Sequence, residues 1–430
     1  MAVTKPIRIA WLGGAPVEGG GAPGIVTDLL EGLAQRGYRI DCFFPAQARE
    51  LPERLAKFDN LTVVWGTSGW RWDRWYSRTK VGAFASGLLS RALASLRLRR
   101  EVVRRHSEEP YDLIYQNQSI ESLGVPSSVA RAVPFVIRPD THQAGELRCL
   151  IAERRLSFRC QPRYIFVLVA SIMFFRAVVQ RLKIRHADLL ICISSVFRDH
   201  MVHDYRYPLE NTVVVQNPVN LDRFVNVEGP VGEPPVVLVP TRITARKGIE
   251  DVVAVAKTLH ERDIDARIRI VGGPSLFSDY TKLLEDLPPE NTEYVGKVAH
   301  SEMPAEFARA DIMLLASKFE PCGMAVLEAL AAGVPVVATS EVGAIENVDR
   351  WVAAEVQPGD IDGLLAAITE MLDRLRSDPA GTRSLARAEA ERLFAPDVIC
   401  EKISNALEGL LAGPEQPRVA EPAAHAGTAT

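Results

Sequence analysis

Short apolar runs alternate with helix-length stretches along almost all of this 430-residue chain, and that alternation restricts the fold more than any other feature. A strand followed by ten or more helical residues before the next strand cannot form a tight hairpin with it. It pairs in parallel, with helices laid over the sheet. The opening shows the unit. Ile7 to Leu12 reads as a strand and Gly13 to Gly24 as a loop. Ile25 to Arg36 reads as a helix with Val26, Leu29, Leu30 and Leu33 on one face and Gly37 as its cap. Strand candidates follow at Tyr38 to Phe44, Leu61 to Trp65, Leu113 to Gln116, Phe135 to Arg138, Leu189 to Ile193 and Thr212 to Val215. The series restarts after Asn217-Pro218 at Val236 to Pro240, Arg267 to Val271, Tyr294-Val295, Ala310 to Leu315, Val334 to Ala338 and Trp351 to Val356. The predicted class is α/β.

A chain of this length exceeds one ordinary core, so two domains are expected, over residues 1–221 and 222–412. Residues 413–430, rich in Ala, Pro and Glu, read as a disordered tail. The net charge of −4 hides an asymmetry: up to Arg223 there are 31 Lys+Arg against 21 Asp+Glu, and the remainder is strongly acidic. Halves of opposite sign are expected to meet different partners. The six cysteines are scattered without a C-x-x-C pair, which argues against a zinc site or disulfide framework and fits a reducing, cytoplasmic setting. Residues 1–6 lead straight into a strand, so no secretory signal is read there. Tyr164 to Phe175 is almost wholly apolar but is bracketed by Arg163 and Arg176. Twelve residues fall short of the ~20 that span a bilayer, so a buried helix is expected, with an interfacial segment as the alternative.

The chemistry is concentrated in Phe319-Glu320-Pro321-Cys322-Gly323-Met324-Ala325-Val326-Leu327-Glu328, which continues to Gly333 and a Val-Pro-Val-Val strand. A loop with Pro and Gly opens an Ala/Leu-rich helix here. Free N–H groups near Gly323, Met324 and Ala325 would face an anion such as a pyrophosphate. Glu328 stands about a turn into the helix and Glu320 in the loop before it. Two glutamates separated by seven residues in this setting resemble the paired-glutamate motif of the retaining GT-B glycosyltransferases of family four. The resemblance extends over nearly the whole chain and is stronger in the second half. It implies two Rossmann-like domains facing each other across a cleft, acceptor bound by the first and a nucleotide-sugar donor by the second. It places Glu320 on the donor sugar and Glu328 on the ribose.

The same resemblance gives roles to other residues. In Pro240-Thr241-Arg242-Ile243-Thr244-Ala245-Arg246-Lys247-Gly248, Arg242 and Lys247 match the family's diphosphate clamp, and Arg246 is a substitute for either. A departing nucleotide gains negative charge, and cations there stabilise it. Gly273, within Gly272-Gly273-Pro274, and Val298, after Lys297, resemble the base-binding region. Gly20 and Gly21 resemble the glycine loop of the first domain. Gly19, Gly21 and Gly24 also spell G-x-G-x-x-G, but a dinucleotide motif follows its strand at once, whereas Gly13 to Glu18 intervene here. On the acceptor side many relatives carry a His after the strand matching Phe135 to Arg138. This chain reads Arg138-Pro139-Asp140-Thr141-His142, so either Asp140 or His142 takes that place, and a structural His142 is equally open.

No Asp-x-Asp pair falls in a plausible donor loop, so neither metal nor cofactor is expected beyond the nucleotide sugar. The expected acceptor is a sugar or a lipid-linked, cell-envelope molecule, and no nucleic acid. Between Trp65 and His106, tryptophans and arginines are interleaved, opposed only by Asp73 and Glu101; this suits peripheral docking on an anionic inner membrane face. A soluble acceptor, an isomerase or phosphorylase of the same fold, and a non-enzymatic sugar-nucleotide binder are the other readings.

Overall fold

The computed structural model describes residues 6–16, 21–46, 50–66, 78–117, 129, 131–275 and 278–413. Seven strands form the first sheet: β1 (Arg8–Leu12), β2 (Arg39–Phe44), β3 (Leu61–Trp65), β4 (Leu113–Asn117), β5 (Phe135–Arg138), β6 (Leu189–Cys192) and β7 (Thr212–Val214). Six form the second: β8 (Val236–Pro240), β9 (Arg267–Val271), β10 (Thr292–Gly296), β11 (Ile312–Leu315), β12 (Val336–Thr339) and β13 (Ala353–Val356). The orders are β3-β2-β1-β4-β5-β6-β7 and β10-β9-β8-β11-β12-β13. Every pairing is parallel. Strands β1, β4, β5, β6, β11 and β12 are buried along their whole length. Sheets covered on both faces need such continuous apolar runs, which is why these strands were readable in the sequence.

The helices in chain order are α1 (Gly21–Gln35), α2 (Glu53–Ala56), α3 (Lys80–Glu108), α4 (Gln143–Ala152), α5 (Arg154–Cys160), α6 (Arg163–Ile184), α7 (Ser195–Tyr205), α8 (Ile249–Glu261), α9 (Met303–Phe307), α10 (Met324–Ala331), α11 (Ile361–Ser377), α12 (Pro379–Phe394) and α13 (Pro396–Ala412). Side-chain caps start several of them. Ser194 accepts from Phe197 N, Asp360 from Gly363 N and Asp378 from Gly381 N. Helix α1 begins at Gly21, four residues before the expected Ile25, so the glycine loop is shorter than the sequence suggests.

Helix α13 returns to the first sheet. Ile399, Cys400, Ile403 and Leu407 are buried in one cluster with Ile25, Val26, Leu29 and Leu33 of α1 and with Ile9 and Trp11 of β1. Gly32 permits the approach, since a Cβ there would lie 2.9 Å from Cys400 Cβ. Tyr38 Oη donates to Glu408 Oε1 at 3.2 Å. A unit cut at residue 222 and run to 412 would therefore strip an apolar helix from the first half. The expected tail beyond Gly413 lies outside the described residues.

The apolar segment from Tyr164 is not the buried helix expected from the sequence. It belongs to α6, which runs on for 22 residues with only Val169, Gln180 and Ile184 buried. Tyr164, Val167, Phe174 and Phe175 are all at least 61% exposed. The helix is long and apolar enough to cross a membrane by length and composition alone. Arg176 does not end it because Arg, Gln and Lys are themselves good helix formers.

Candidate active site

In each parallel sheet the loops that follow the strands gather at one edge, and there ligands bind in folds of this kind. Here the two edges face each other. Ser194 Oγ, after β6, donates to Pro321 O, after β11, at 2.7 Å. Ser195 N donates to both oxygens of Glu346 at 3.0 and 2.9 Å, so a carboxylate from beyond β12 sits on the first turn of α7. Lys318 Nζ reaches Glu153 at 2.9 Å, and the His142 and Phe319 rings lie 5.9 Å apart.

On the second-sheet side the residues singled out from the sequence converge on one carboxylate. Glu320 Oε2 pairs with Lys247 Nζ and, at 3.0 Å, with Arg246 Nη1. Its Oε1 accepts from Gly323 N at 3.2 Å, at the start of α10. Gly323 holds φ +91°, and a Cβ there would sit 2.7 Å from Val342 Cγ1, so glycine is required twice over. Burial alone would raise the Glu320 carboxyl, but Lys247, Arg246 and Arg242 outweigh it and hold the group at about 2. Burial draws the Lys247 ammonium down to about 8, against the pull of Glu320. The cluster is an anion site: two cations and a helix-terminal N–H around one carboxylate, in a largely buried position. Arg242 stands just after β8, exposed and without an ion pair among the described residues.

Arg246 is thus the guanidinium that holds Glu320, whereas the sequence offered it only as a substitute in the diphosphate clamp. Its Nη1 also donates to Phe319 O at 3.0 Å, and its Nε lies 3.7 Å from Glu146 of α4. That contact with Glu146 crosses the cleft and had no signal in the sequence. Neither did the pairing of Glu346 with α7.

Glu328 is buried one turn into α10, with Oε1 3.6 Å from His300 Nε2. Burial raises its carboxyl to about 7, with Arg223 opposing. Arg223 in turn donates to His300 O at 3.1 Å. The loops after β9 and β10 are tied together by Gly272 N donating to Gly296 O at 2.8 Å, while Ile243 N donates to Gly273 O at 3.0 Å. Gly273 and Val298 thus lie on neighbouring loops of the same edge as Glu328. Met324 and Ala325 form the first turn of α10. Of the glycine loop, Gly21 opens α1, while Gly20 lies outside the described residues.

The acceptor-side candidates separate. His142 has no exposed surface. It caps α4, its Nδ1 accepting from Gly145 N at 3.0 Å, and its Nε2 lies 3.1 Å from Asp204 Oδ2, off the line of a good hydrogen bond. Phe197, His200, Tyr205 and Phe319 surround the ring. Burial lowers its pKa, although Asp204 pulls the other way, so the imidazole is neutral at pH 7. Asp140, half-buried, instead lines a small groove with Gln116, Ile137, Pro139, Gln180, Lys183 and Ile184. Gln180 of α6 fixes the loop beside it, accepting from Gln143 N at 2.9 Å and donating to Thr141 O at 2.6 Å.

The Trp- and Arg-rich segment between Trp65 and His106 is seen in part. Trp70, Arg71, Trp72, Arg74, Trp75 and Tyr76 lie outside the described residues. Within α3, Leu89, Leu93 and Leu96 are exposed on one stripe. Glu101 is engaged by Arg104 and Arg105. Among the described residues no group of His, Cys, Asp and Glu is arranged to hold a metal ion.

Two parallel-sheet domains meeting at their carboxyl edges, with an anion site at one helix start, define a GT-B architecture. The description Glycosyltransferase Family 4 matches residues 19–223, and Glycosyl transferases group 1 matches residues 222–383. The chain belongs to this glycosyltransferase family. A glycogen synthase of Mycobacterium tuberculosis is 29% identical over 214 residues, which are 49% of this chain and 50% of that one. A GDP-mannose-dependent alpha-(1-6)-phosphatidylinositol monomannoside mannosyltransferase of the same organism is 31% identical over 189 residues, 42% of this chain and 49% of that one. The chain thus spans about half the length of the curated relatives it matches. A sucrose-phosphate synthase of Thermosynechococcus elongatus has the same fold, with TM-score 0.64 and 20% identity over 95% of this chain and all of that one. Anabaena HepE in complex with UDP and glucose superimposes at TM-score 0.60 with 18% identity, over 94% of this chain and 99% of that one.

Proposed function

We propose that this protein is a retaining, metal-independent glycosyltransferase that moves a sugar from a nucleotide-sugar donor to a glycan, lipid-linked or other cell-envelope acceptor. One observation carries the reading: a buried carboxylate, Glu320, is held between Lys247, Arg246 and the Gly323 amide. Cations and an N–H group in that arrangement suit a diphosphate as well as they suit a carboxylate. The GDP-mannose-dependent relative named for phosphatidylinositol monomannoside supports the substrate classes.

In this mechanism the donor diphosphate lies against Arg242, Lys247 and the first turn of α10. Arg242 supplies a cation not already committed to Glu320. As the anomeric carbon–oxygen bond breaks, its electron pair passes to the nucleotide, and these groups stabilise the charge that develops. Glu320 orients the donor sugar hydroxyls, and Glu328 accepts from the ribose diol. Gly273 and Val298 present main-chain groups to the base. The acceptor oxygen attacks from the face the nucleotide leaves and passes its proton to the departing diphosphate oxygen, which preserves the anomeric configuration without a covalent enzyme intermediate. Asp140 stands on the acceptor side, and His142 shapes the loop that carries it. No cofactor takes part, and the reaction belongs to the cytoplasmic side of the cell, with the basic first domain near the inner membrane face.

The test is a panel of UDP-, GDP- and ADP-sugars, scored first by thermal shift and then by transfer to glycan and lipid-linked acceptors. The expected result is nucleotide release only when acceptor is present, with retained anomeric configuration in the product. Donor consumption without acceptor points to an isomerase or phosphorylase instead. Stabilisation by none of the donors removes the reading.

A further inference from the structure

Helix α6 has an outer face that nothing in the described structure covers. Tyr164, Val167, Ser171, Phe174, Phe175, Val178 and Leu182 recur three or four residues apart and are all exposed. That is one continuous stripe. At 1.5 Å per residue the helix is about 33 Å long. Phe158 of α5 is also exposed, and its ring packs 5.1 Å from that of Phe166, extending the apolar surface. A contiguous patch of this kind marks a docking surface.

The charge around the stripe identifies the occupant. From Arg154 to Ala187 there are eight Lys or Arg residues and no Asp or Glu. Arg154, Arg155, Arg159, Arg163 and Arg185 are exposed. An apolar stripe with aromatic rings, on a segment whose charged residues are all cations, matches an anionic bilayer surface: rings and aliphatic groups enter the headgroup boundary while guanidinium groups meet phosphates.

We propose that α6 lies flat on an anionic lipid bilayer, with Val167, Phe174 and Phe175 inserted. Crossing the bilayer is excluded by the other face of the helix. Gln180 is hydrogen-bonded to Thr141, Gln143 and Tyr205, and Ile184 belongs to the core beside β4 and β5. Helix α3 packs on the same face of the first sheet through Leu98 and Val102, so its stripe of Leu89, Leu93 and Leu96 provides a second, weaker footing.

The placement has a consequence for substrate, which rests on the transferase reading above. Gln180, Lys183 and Ile184 line the groove that holds Asp140. The docking helix is therefore itself a wall of the acceptor groove, and a lipid-linked acceptor reaches Asp140 without leaving the membrane surface.

The experiment is co-sedimentation of the full chain with phosphatidylglycerol-containing vesicles and with phosphatidylcholine vesicles, at low and high salt. Wild type is compared with Val167→Ser/Phe174→Ser/Phe175→Ser and with Arg97→Ser/Arg99→Ser/Arg100→Ser/Arg104→Ser. Wild type is expected to pellet with the anionic vesicles and to be partly retained at high salt. The α6 variant should lose at least about tenfold of the bound fraction, the scale expected when several buried apolar groups are removed. The α3 variant should lose less. Wild type left in the supernatant with anionic vesicles overturns the proposal, as does an α6 variant that binds like wild type. A wild-type dimer that the α6 variant dissolves, without vesicle binding, assigns the face to a second copy and also overturns it. Nucleotide thermal shift on the same samples keeps the two readings apart. Nucleotide stabilisation without vesicle binding removes the docking alone; vesicle binding with no nucleotide response removes the transferase reading alone. An unchanged nucleotide response in the α6 variant shows that it is folded.

Discussion

On the second-sheet side of the cleft, Lys247, Arg246, Glu320 and the Gly323 amide already hold one another in place. On the first-sheet side, His142 is sealed beneath Phe319 while Asp140, two residues earlier, opens on a groove. The second-sheet side, the donor side of the proposed reading, keeps Lys247, Arg246 and Glu320 paired in a buried cluster and leaves Arg242 exposed beside it. The first-sheet side, the acceptor side of the proposed reading, has Asp140 lining a groove whose wall is a helix with an outer face that no described residue covers. A site preorganised by charge suits a constant ligand, the diphosphate. A site walled by an exposed helix suits a bulky or surface-bound one. On the proposed reading, donor binding and acceptor choice are divided between a buried charged cluster and a groove walled by an exposed helix.

The sharpest way to break the comparison is at Lys247. Lys247→Ala or Arg242→Ala should reduce sugar transfer by about 10²-fold or more, with the fold retained by circular dichroism. Glu320 keeps Arg246 and Gly323 N as partners in the Lys247 variant. Wild-type turnover in both variants would remove the charge-stabilising role from this half.

The next test separates Asp140 from His142. Asp140→Asn should lower kcat by about tenfold or more with the fold retained by circular dichroism, on the scale of a lost acid–base or positioning group. His142→Ala should lower the melting temperature by about 2–4 °C, the effect of losing one helix cap worth ~1 kcal/mol in a domain of this size. His142→Asn, which retains a capping side chain, should recover most of that stability. If His142→Asn is as stable as wild type but loses turnover, the histidine acts directly and the contrast drawn above is wrong.

A smaller effect follows from pH. The Glu328 carboxyl is raised to about 7 because burial disfavours its charge. As a raised carboxyl, it favours the folded state most at low pH, and that contribution is lost as pH rises from about 4.5 to 7. Ribose recognition runs the opposite way, since the ionised form accepts from both hydroxyls. Donor affinity, measured by calorimetry, should therefore fall as pH drops below about 7, by up to about tenfold per unit. Glu328→Gln should flatten that profile; an unchanged slope assigns it to another group. The smallest expected change is with excess EDTA, in which turnover should stay at its original rate, because in the proposed mechanism side chains meet the leaving-group charge. Strict dependence on added Mg²⁺ or Mn²⁺ would contradict that assignment.

By itself the sequence determined the strands and singled out Glu320, Lys247 and Gly323, which the structure brings together. Every strand expected from an apolar run is present, within one or two residues at most ends, because strands covered on both faces must be apolar throughout. Glu320, Gly323, Lys247 and Glu328 were legible because each occupies a fixed offset from a strand end or helix start, and local geometry carries such offsets into space. Only the tertiary structure decided the rest. A periodic apolar face states that a helix has a partner but not which one; α13 was thus taken for part of the second half, although it packs on α1 of the first. The same limit misread the segment from Tyr164, where apolarity implied burial and the fold left the stripe uncovered. Arg246 holds Glu320, Glu346 meets α7, and Asp140 rather than His142 lines a groove. Each of these rests on residues far apart in the chain, and is set by how strands pair within a sheet and how the two sheets meet rather than by any local rule.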